Sequence, residues 1–224
     1  MCGRLRPQRP PRSTRFRRVQ SALSSALAKE KPAPAGGFLE NHDEPRAATT
    51  FPEGQYEAAA VITFLAPGLR FFHQGQFEGR RKRVSPHLGR APNEEVDPPL
   101  KEFYERLLEV LRRNAVRQGS WHLLDCTAAW EGNESLDAFV ACTWQDSDGA
   151  RLLVAVNYAS HSSQCYVRLP FADLGGRRWG LHDLLGDAQY EREGAELKAQ
   201  GLYLDVAPWQ CHIFELAPEP TSTK

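Results

Sequence analysis

The chain has 224 residues, and its 28 Lys and Arg side chains balance its 28 Asp and Glu side chains. This balance argues against a polyanion such as nucleic acid as a partner for the body of the protein. Hydrophobic residues make up 41% of the chain, enough for a globular core of one or two domains, yet no apolar run reaches the ~18 residues of a membrane-spanning helix. We therefore expect neither a nucleic-acid partner nor a membrane partner.

The cysteines are scattered along the chain and odd in number: Cys2, Cys126, Cys142, Cys165 and Cys211. No Cys-x-x-Cys pair occurs, so the spacing predicts neither a zinc site nor a disulfide framework. Cysteine without such a partner behaves as a small buried hydrophobic residue. We therefore expect reduced thiols, a cytoplasmic location, and no metal or other cofactor.

Residues 1–37 differ in composition from the rest of the chain. Seven arginines with intervening prolines crowd residues 4–18, and more prolines and glycines follow at 32–37. The segment has no apolar stretch of the kind found in secretory signals. Its composition also occurs in organelle transit peptides and in basic arms that bind nucleic acid, but it is common in disordered chains. We predict a disordered basic leader over residues 1–37.

The segment FLENHDEPR at residues 38–46 joins a short apolar run to a cluster of groups that can do chemistry. Its proline cannot continue a central strand or a helix interior. The pattern predicts a buried strand whose C-terminal end turns into a polar loop, which is where sites lie in α/β folds. The polar residues of this loop are Asn41, His42, Asp43, Glu44 and Arg46.

A helix, a strand and a long loop are predicted to follow. Residues 51–66 read as a helix that begins near a proline and is stopped by another, and Leu69–His73 is a short apolar strand. Strand, helix and strand in succession form a βαβ unit, in which the strands are parallel. Gly75–Pro99 then predicts a long polar loop bordering the same end of the sheet.

The remainder of the chain changes from helical to alternating periodicity. Leu100–Gln118 carries an apolar stripe of period 3.6 and predicts a helix, whose start is marked by Asp97 with Pro98 and Pro99 and whose end is marked by Gly119. From Trp121 onward the period is two, with a hairpin loop at Asp146–Gly149. Strands are predicted at Leu136–Gln145, Leu152–Tyr158, Gln164–Leu169, Trp179–Leu184, Leu202–Val206 and Gln210–Leu216. Regular short strands separated by turns predict an antiparallel sandwich.

The tripeptide Asn41-His42-Asp43 at the end of an apolar strand resembles the last signature segment of the α-amylase family of glycoside hydrolases. In that family the segment closes the seventh strand of a (β/α)8 barrel. The helix-like residues 56–65 and the strand-like residues 66–76 follow in the family's order, and a β-rich C-terminal region comes after them. The resemblance covers about residues 38–217.

The resemblance implies an α/β part followed by an all-β part. Residues 38–118 would form the last two βα units of a TIM barrel, which is a partial barrel, and residues 119–217 an antiparallel β-sandwich. Residues 218–224 would be a tail. In the family the sandwich braces the barrel and the barrel carries the active site.

The resemblance also implies roles for four residues of the polar loop. Asp43 would be the transition-state stabiliser, a carboxylate that opposes the charge of an oxocarbenium-like transition state. His42 would donate a hydrogen bond to a sugar hydroxyl, and Asn41 and Arg46 would orient the loop or line the pocket. A cap or turn role is the alternative for Asp43. The implied partner is an α-glucan or another α-linked oligosaccharide.

Retaining glycoside hydrolysis also needs a carboxylate nucleophile and a general acid, which the family carries on its fourth and fifth strands. Residues 1–37 contain Glu30 as their one carboxylate and no strand-like run. We therefore expect a C-terminal fragment of an α-amylase-type glycoside hydrolase that is inactive alone. Another polypeptide would supply the missing part of the barrel.

A non-catalytic carbohydrate- or protein-binding module is the alternative. Exposed tryptophans that stack on sugar rings would support it, although packing in the core competes as an explanation. The candidates are Trp130, Trp144, Trp179 and Trp209. A third hypothesis, a nucleic-acid-binding arm, rests on residues 4–18 alone.

Overall fold

Five α-helices, one 3-10 helix (Ser135–Ala138) and eleven strands are defined in the computed structural model, which describes residues 36–52, 54–85, 87, 89–90 and 92–220. The strand predicted from Leu136 therefore begins only at Phe139. The helices are α1 (Ala47–Thr50), α2 (Gln55–Leu65), α3 (Pro98–Arg112), α4 (Asn114–Gln118) and α5 (Gly194–Ala199). The first strands are β1 (Gly36–Gly37), β2 (Leu69–Arg70), β3 (Ser120–Leu123), β4 (Cys126–Thr127), β5 (Phe139–Gln145) and β6 (Arg151–Asn157). The others are β7 (Ser163–Val167), β8 (Arg178–Asp183), β9 (Gln189–Glu193), β10 (Leu202–Val206) and β11 (Cys211–Pro218). The predicted leader lies almost wholly outside the described residues.

The parallel pair is shorter than the sequence predicts. β1 pairs with β2 in parallel, with Gly36 opposite Leu69, and the Phe71 amide donates to the Gly37 carbonyl at 3.0 Å. A side chain at Gly37 would place its Cβ 3.0 Å from the Thr63 carbonyl oxygen, so glycine lets β1 approach α2 closely.

The strands predicted to reach Asn41 and His73 therefore end earlier, and the residues after them form loops. Phe38 and Phe71, which belong to the two predicted strands, are 45% and 44% exposed. Their rings meet edge to face at 6.5 Å. The apolar run indicated a buried strand, but no described layer of the structure covers these two rings.

The predicted helix at 100–118 is present but divided. Asp97 caps α3 by accepting a hydrogen bond from the Leu100 amide at 3.2 Å, in agreement with the predicted start. Arg113 is extended, with ψ at 143°, and separates α3 from α4. Its guanidinium instead forms an ion pair with Glu215 of β11. The apolar periodicity predicts one continuous helix, but the structure interrupts it at Arg113. The Arg113 side chain contacts a strand that lies far away in the sequence.

Two antiparallel sheets form the β-rich part, as predicted. The six-stranded sheet has the order β3-β5-β6-β11-β8-β9, and the three-stranded sheet has the order β10-β7-β4. Apolar side chains from both sheets share one core. The hairpin at 146–149 joins β5 to β6, and β10 has the predicted bounds. The antiparallel arrangement expected for a sandwich is therefore confirmed.

The six-stranded sheet is buried on both faces at its centre. In β5, Phe139 and Ala141 contribute to the core shared with the three-stranded sheet, whereas Cys142 and Trp144 belong to a second core with α2 and α3. The Trp144 indole donates to the Leu65 carbonyl at 2.9 Å, which ties β5 to the end of α2. The described residues accordingly belong to one compact unit.

Candidate functional site

The loops that follow β1 and β2 meet at one end of the parallel pair. Asn41 organises the first loop, because its Oδ1 accepts hydrogen bonds from the amides of Asp43 at 2.8 Å and Glu44 at 3.0 Å. This Asx-type turn is a local side-chain to backbone arrangement that competes with strand pairing. It explains why the predicted strand does not extend to Asn41, and it presents the next two side chains outward.

His42 and Asp43 stand side by side on this turn. The His42 Nε2 atom lies 3.2 Å from Asp43 Oδ2, and the two side chains are 60% and 73% exposed. Carboxylate oxygens accept hydrogen bonds and imidazole nitrogens donate or accept them. The pair can therefore contact the hydroxyl groups of a saccharide, and neither side chain is committed to the interior.

Arg46 has a different environment, because it is buried in an ion pair with Glu40. Arg46 Nη2 lies 2.8 Å from Glu40 Oε1, and the two side chains are 4% and 1% exposed. The second Glu40 oxygen accepts from the Ala47 amide at 2.6 Å, which anchors the start of α1. A buried pair of this kind needs hydrogen bonds on its remaining polar atoms to offset the loss of hydration.

The same guanidinium joins the two loops. Arg46 Nη1 and Nη2 each donate to the Gln74 carbonyl at 3.0 Å, and Nε donates to the Arg80 carbonyl at 3.3 Å. Its Nη1 also lies 3.1 Å from His73 Nδ1, which is 3.6 Å from Glu40 Oε1. Glu40, Arg46 and His73 form what we call the loop-joining cluster, which fixes the loop after β1 against the loop after β2.

Two buried tyrosines continue this polar cluster into the helices. Gln76 Nε2 donates to the Tyr104 hydroxyl at 2.7 Å, and the Tyr104 hydroxyl donates to the Tyr56 hydroxyl at 3.0 Å. Burial raises the pKa of Tyr104 to about 12, and burial together with Tyr104 raises the pKa of Tyr56. Both phenols are therefore neutral at physiological pH, and they hold α2, α3 and the loop after β2 together.

The long loop after β2 runs beside the Asn-His-Asp turn. Arg83 Nε donates to the His42 carbonyl at 3.2 Å, and Thr49 of α1 donates to the Arg81 carbonyl at 2.9 Å. Glu94 accepts from the backbone amides of Arg81 and Lys82, which closes the loop on itself. The loop predicted to border this end of the sheet thus does so, through the Arg83 side chain and the Arg81 carbonyl.

The four predicted site residues are therefore close in sequence but separate into two groups. Asn41, His42 and Asp43 form the exposed turn, whereas Arg46 is buried in the loop-joining cluster. The sequence analysis did not select Glu40 or His73. A signal for Glu40 was present, because an acid inside the apolar segment that starts at residue 38 requires a buried partner, and an arginine follows six residues later.

The tryptophans proposed as sugar platforms occupy different environments. Trp144 and Trp179 are buried and donate their indole N–H groups to backbone carbonyls of Leu65 and Leu174. Trp209 packs edge to face on Tyr158 at 5.2 Å. Trp130, at 55% exposure, is open to solvent. Packing therefore accounts for three of the four candidates.

Other expectations concern metals, thiols and membranes. The described residues contain no group of three or more His, Cys, Asp or Glu side chains that could hold a metal ion. The four described cysteines are free thiols, and burial raises the pKa of Cys142 to about 12. Within the part of the chain that the structure describes, no helix has both the length and the apolar character needed to span a membrane.

No protein-family model matches the sequence, and no curated protein sequence is significantly similar to it. Solved structures do share its fold. The α-amylase from Geobacillus thermoleovorans, solved in complex with acarbose, matches with a TM-score of 0.67 at 18% identity over 92% of this chain and 44% of the amylase. An Anoxybacillus α-amylase matches with a TM-score of 0.65 at 19% identity over 93% of this chain and 45% of that one.

A third solved structure, the maltogenic α-amylase AmyB from Thermotoga neapolitana, matches with a TM-score of 0.62 at 13% identity over 88% of this chain and 44% of its own. At these identities the likeness establishes the fold. The chain spans less than half the length of each of the three amylases. The resemblance predicted from the Asn-His-Asp segment is thus confirmed: nearly all of this chain has the fold of a large part of an α-amylase.

Proposed function

We propose that this chain is the C-terminal part of an α-amylase-type glycoside hydrolase. Residues 38–118 are assigned to the last two βα units of a (β/α)8 barrel and residues 119–217 to the C-terminal sandwich. The single observation that carries the proposal is the position of the Asn-His-Asp turn. It follows the first strand of a parallel pair and is joined to the loop after the second strand through Arg46. Sites of α/β barrels lie at this end of the strands.

Within this proposal Asp43 is the transition-state stabiliser. Its carboxylate projects from a turn whose backbone is fixed by Asn41, and His42 beside it offers a hydrogen bond to a hydroxyl of the same sugar ring. The nucleophile and the general acid that the reaction requires are assigned to the remaining strands of the barrel. The substrate class is an α-linked oligosaccharide. The match to an amylase solved with acarbose supports this assignment through the shared fold.

Arg46 and Glu40 hold the turn in place without touching the sugar. Both side chains are buried, and Arg46 also donates to the Gln74 carbonyl in the loop after β2. The pair therefore holds the turn after β1 in a fixed position relative to that loop. We therefore expect Asp43 to act in catalysis and Arg46 to act in stability. Changes at Asp43 reduce catalysis and leave stability unchanged, whereas changes at Arg46 reduce stability first.

A chimera tests the proposal. Residues 36–217 replace the matching part of the Geobacillus thermoleovorans α-amylase, and hydrolysis of maltoheptaose is measured. We expect a folded chimera to hydrolyse it and Asp43→Asn to lower kcat by about 10²- to 10³-fold, since charge stabilisation of this type has that magnitude. The matched control is Asp187→Asn, an exposed carboxylate in the sandwich, and it should leave kcat unchanged.

The chain alone provides the second measurement. We expect no turnover of maltoheptaose by the purified 224-residue protein. Turnover that disappears on Asp43→Asn would contradict the assignment of the nucleophile and acid to other strands. A chimera whose kcat is the same with Asp43→Asn as without it would contradict the role of Asp43.

A further inference from the structure

A groove with a volume of about 210 Å3 lies in the sandwich between the outer strands of its two sheets. β10 is the outer strand of the three-stranded sheet, and β9 is the outer strand of the six-stranded sheet. One edge of β10 pairs with β7, and no described strand pairs with its other edge, which borders the groove. Both sheets contribute buried apolar side chains to the interior of the groove: Leu181, Leu202, Leu204, Val206 and Phe214.

The side chains of β10 alternate between the two faces of the three-stranded sheet. Every second residue, beginning with Leu202, belongs to the core of the sandwich. Tyr203 and Asp205 point to the outer face, where the Tyr203 ring meets the Tyr166 ring at 5.4 Å and Asp205 accepts from Gln164 at 2.8 Å. Both residues nevertheless line the groove. They therefore reach it through their backbone.

The hydrogen bonds of β7 show which backbone groups of β10 are left for another strand. Directly after β7, the Arg168 amide donates to the Asp125 carbonyl at 3.0 Å, on the side that faces β4. Backbone groups of successive strand residues point to alternate edges, so the odd-numbered residues of β7 pair with β10. Their partners are the even-numbered residues of β10, for example Leu204. The N–H and C=O groups of Tyr203 and Asp205 therefore point away from β7, toward the groove.

The groove also has a positive charge at its margin. The Arg192 guanidinium lies 5.3 Å from the centroid of the Tyr190 ring, and both residues line the groove. The acids next to it in β9 are committed elsewhere, because Glu191 and Glu193 pair with Arg178 at 3.1 and 2.7 Å. Alternation along β9 places those two acids on its opposite face. Among the described residues, Arg192 thus has no carboxylate partner.

We propose that this groove binds an extended peptide strand of a partner protein, which pairs with the free edge of β10. An unpaired strand edge is a template for another strand, and Tyr203 and Asp205 supply two donors and two acceptors. Alternate side chains of the peptide share one face and pack into the apolar interior. Arg192 favours an acidic side chain on that same face, since His212 and Asp183 already pair with each other at 2.6 Å.

The size of the groove agrees with this mode of binding. Its volume is below the ~300–1,000 Å3 of pockets that enclose a drug-sized ligand. The groove therefore takes a few side chains, while the peptide backbone lies along β10. The proposal goes beyond the sugar site, because the groove belongs to β8–β11 and the Asn-His-Asp turn follows β1.

Titration of the full chain with a synthetic peptide tests the proposal. The parent probe is a seven-residue peptide in which four valines alternate with three threonines, and two further versions carry glutamate in place of the first or the last valine. Amide shifts are followed by NMR. We expect saturable shifts at residues 203–205 and 190–192, with a Kd of about 0.1 mM for the better glutamate peptide. The amides of Tyr203 and Asp205 should exchange with solvent more slowly in the complex.

A modified peptide is the first control. Peptide residues opposite Tyr203 and Asp205 also point outward, so the threonine amides are the ones that face β10. N-methylation of the three threonine amides keeps the side chains and removes these donors. It should weaken binding by roughly tenfold or more, because main-chain hydrogen bonds provide the affinity in strand addition.

Two substitutions at one position separate the backbone from the side chain. Tyr203→Pro removes an N–H that makes no bond to β7, which an edge strand tolerates, and it should weaken binding by about three- to tenfold. Tyr203→Ala keeps the N–H and removes the ring, so it is the matched control and should leave Kd unchanged. Arg192→Gln should weaken binding of one glutamate peptide by about two- to fivefold and leave the parent peptide unaffected.

Three results would overturn the proposal. Equal binding of the parent and the N-methylated peptides would show apolar binding without strand pairing. The absence of shifts at residues 203–205 at about 1 mM peptide, with the protein folded, would exclude the site. Concentration-dependent shifts there without peptide, together with a dimer in sedimentation, would assign the edge to a second copy of the chain. If Tyr203→Pro unfolds the protein, the N-methylated peptide tests the same hydrogen bonds on the original chain.

Discussion

The helical region, residues 36–118, and the sheet region, residues 119–217, are held together by different forces. The helical region places Glu40, Arg46 and Gln76 in its interior and satisfies them with directed hydrogen bonds. The sheet region also buries polar side chains, among them Arg151, Asn157 and Asp183, but its strands are joined by long antiparallel ladders of backbone pairing, as between β5, β6 and β11. Polar contacts require specific geometry, whereas apolar burial scales with area. The first region thus depends mainly on particular side-chain partners, and the second mainly on backbone pairing and apolar packing.

The difference shows how the two regions cooperate. The six-stranded sheet gives one face to its own sandwich and the other to α2 and α3. That second face covers the helices and leaves the polar loops at the end of β1 and β2 free of the sheet. A rigid apolar support with a polar, positioned loop is the arrangement expected of a functional site on a scaffold.

The largest effect is expected from separating the two regions. Residues 119–217 alone would expose the side chains that face α2 and α3, among them Trp144, Val154 and Ile213. Each large apolar side chain that loses its cover forfeits ~1.5–3 kcal/mol, against a total of ~5–15 kcal/mol for a domain. We expect the excised region to lose cooperative thermal unfolding and to bind a hydrophobic dye. The full chain measured in parallel is the control, and a cooperative excised monomer would show that the sandwich stands alone.

The second-largest effect is expected in hydrogen exchange, as a difference between the parallel pair β1–β2 and the central strand β6. β1 and β2 have two residues each, and exposed Phe38 and Phe71 flank them, whereas β6 pairs on both sides with β5 and β11. Amides of residues 69–72 should exchange through local opening of small free energy, and those of 152–156 only through global unfolding. The difference in opening free energy should be several kcal/mol, about the stability of a domain. Equal protection in a proven monomer would mean that the parallel pair packs adequately by itself.

Within the helical region, Glu40→Gln should be the most damaging polar substitution. It leaves the buried Arg46 charge without its counter-ion, and removing one member of such a pair costs about 3–5 kcal/mol. Urea unfolding measures the change. The double variant Glu40→Gln with Arg46→Met should recover part of the loss, because no lone charge is then buried. Asp43→Asn, at an exposed carboxylate, is the control and should stay within about 0.5 kcal/mol of the original protein.

The smallest effect concerns Asp183 in the sheet region. Burial raises the pKa of Asp183, but its hydrogen bonds to His212 and to the Leu185 and Ile213 amides lower it more, so the net shift is downward. A lowered folded-state pKa adds stability above the unfolded value of about 3.9 and loses it as pH falls through the folded value. Asp183→Asn should therefore destabilise the protein at pH 7, and the difference should shrink below about pH 4.

Unfolding free energies of Asp183→Asn and of the original protein across this pH range give the measurement. Asp205→Asn, an exposed carboxylate on β10, is the matched control for the charge removed. A difference that is independent of pH would mean that packing, and not the ionised carboxylate, accounts for the effect of Asp183.

The sequence alone correctly predicted the positions of elements that depend on only a few consecutive residues. The cap at Asp97, the hairpin loop at 146–149 and the strand Leu202–Val206 appear where the sequence places them. Period-two alternation also placed Phe139 and Trp144 on different faces of β5. These features depend on backbone geometry and on the alternation of side chains along a strand, which the order of residues specifies directly.

Only the tertiary structure decided which side chains meet across the chain. The Glu40–Arg46 pair reaches His73 and Gln74, and the second face of the six-stranded sheet is covered by α2 and α3. Each of these contacts joins segments distant in sequence. The free energy of such a contact depends on how deeply the side chains are buried and on how far apart they lie in space. The spacing of residues along one strand or helix specifies neither quantity.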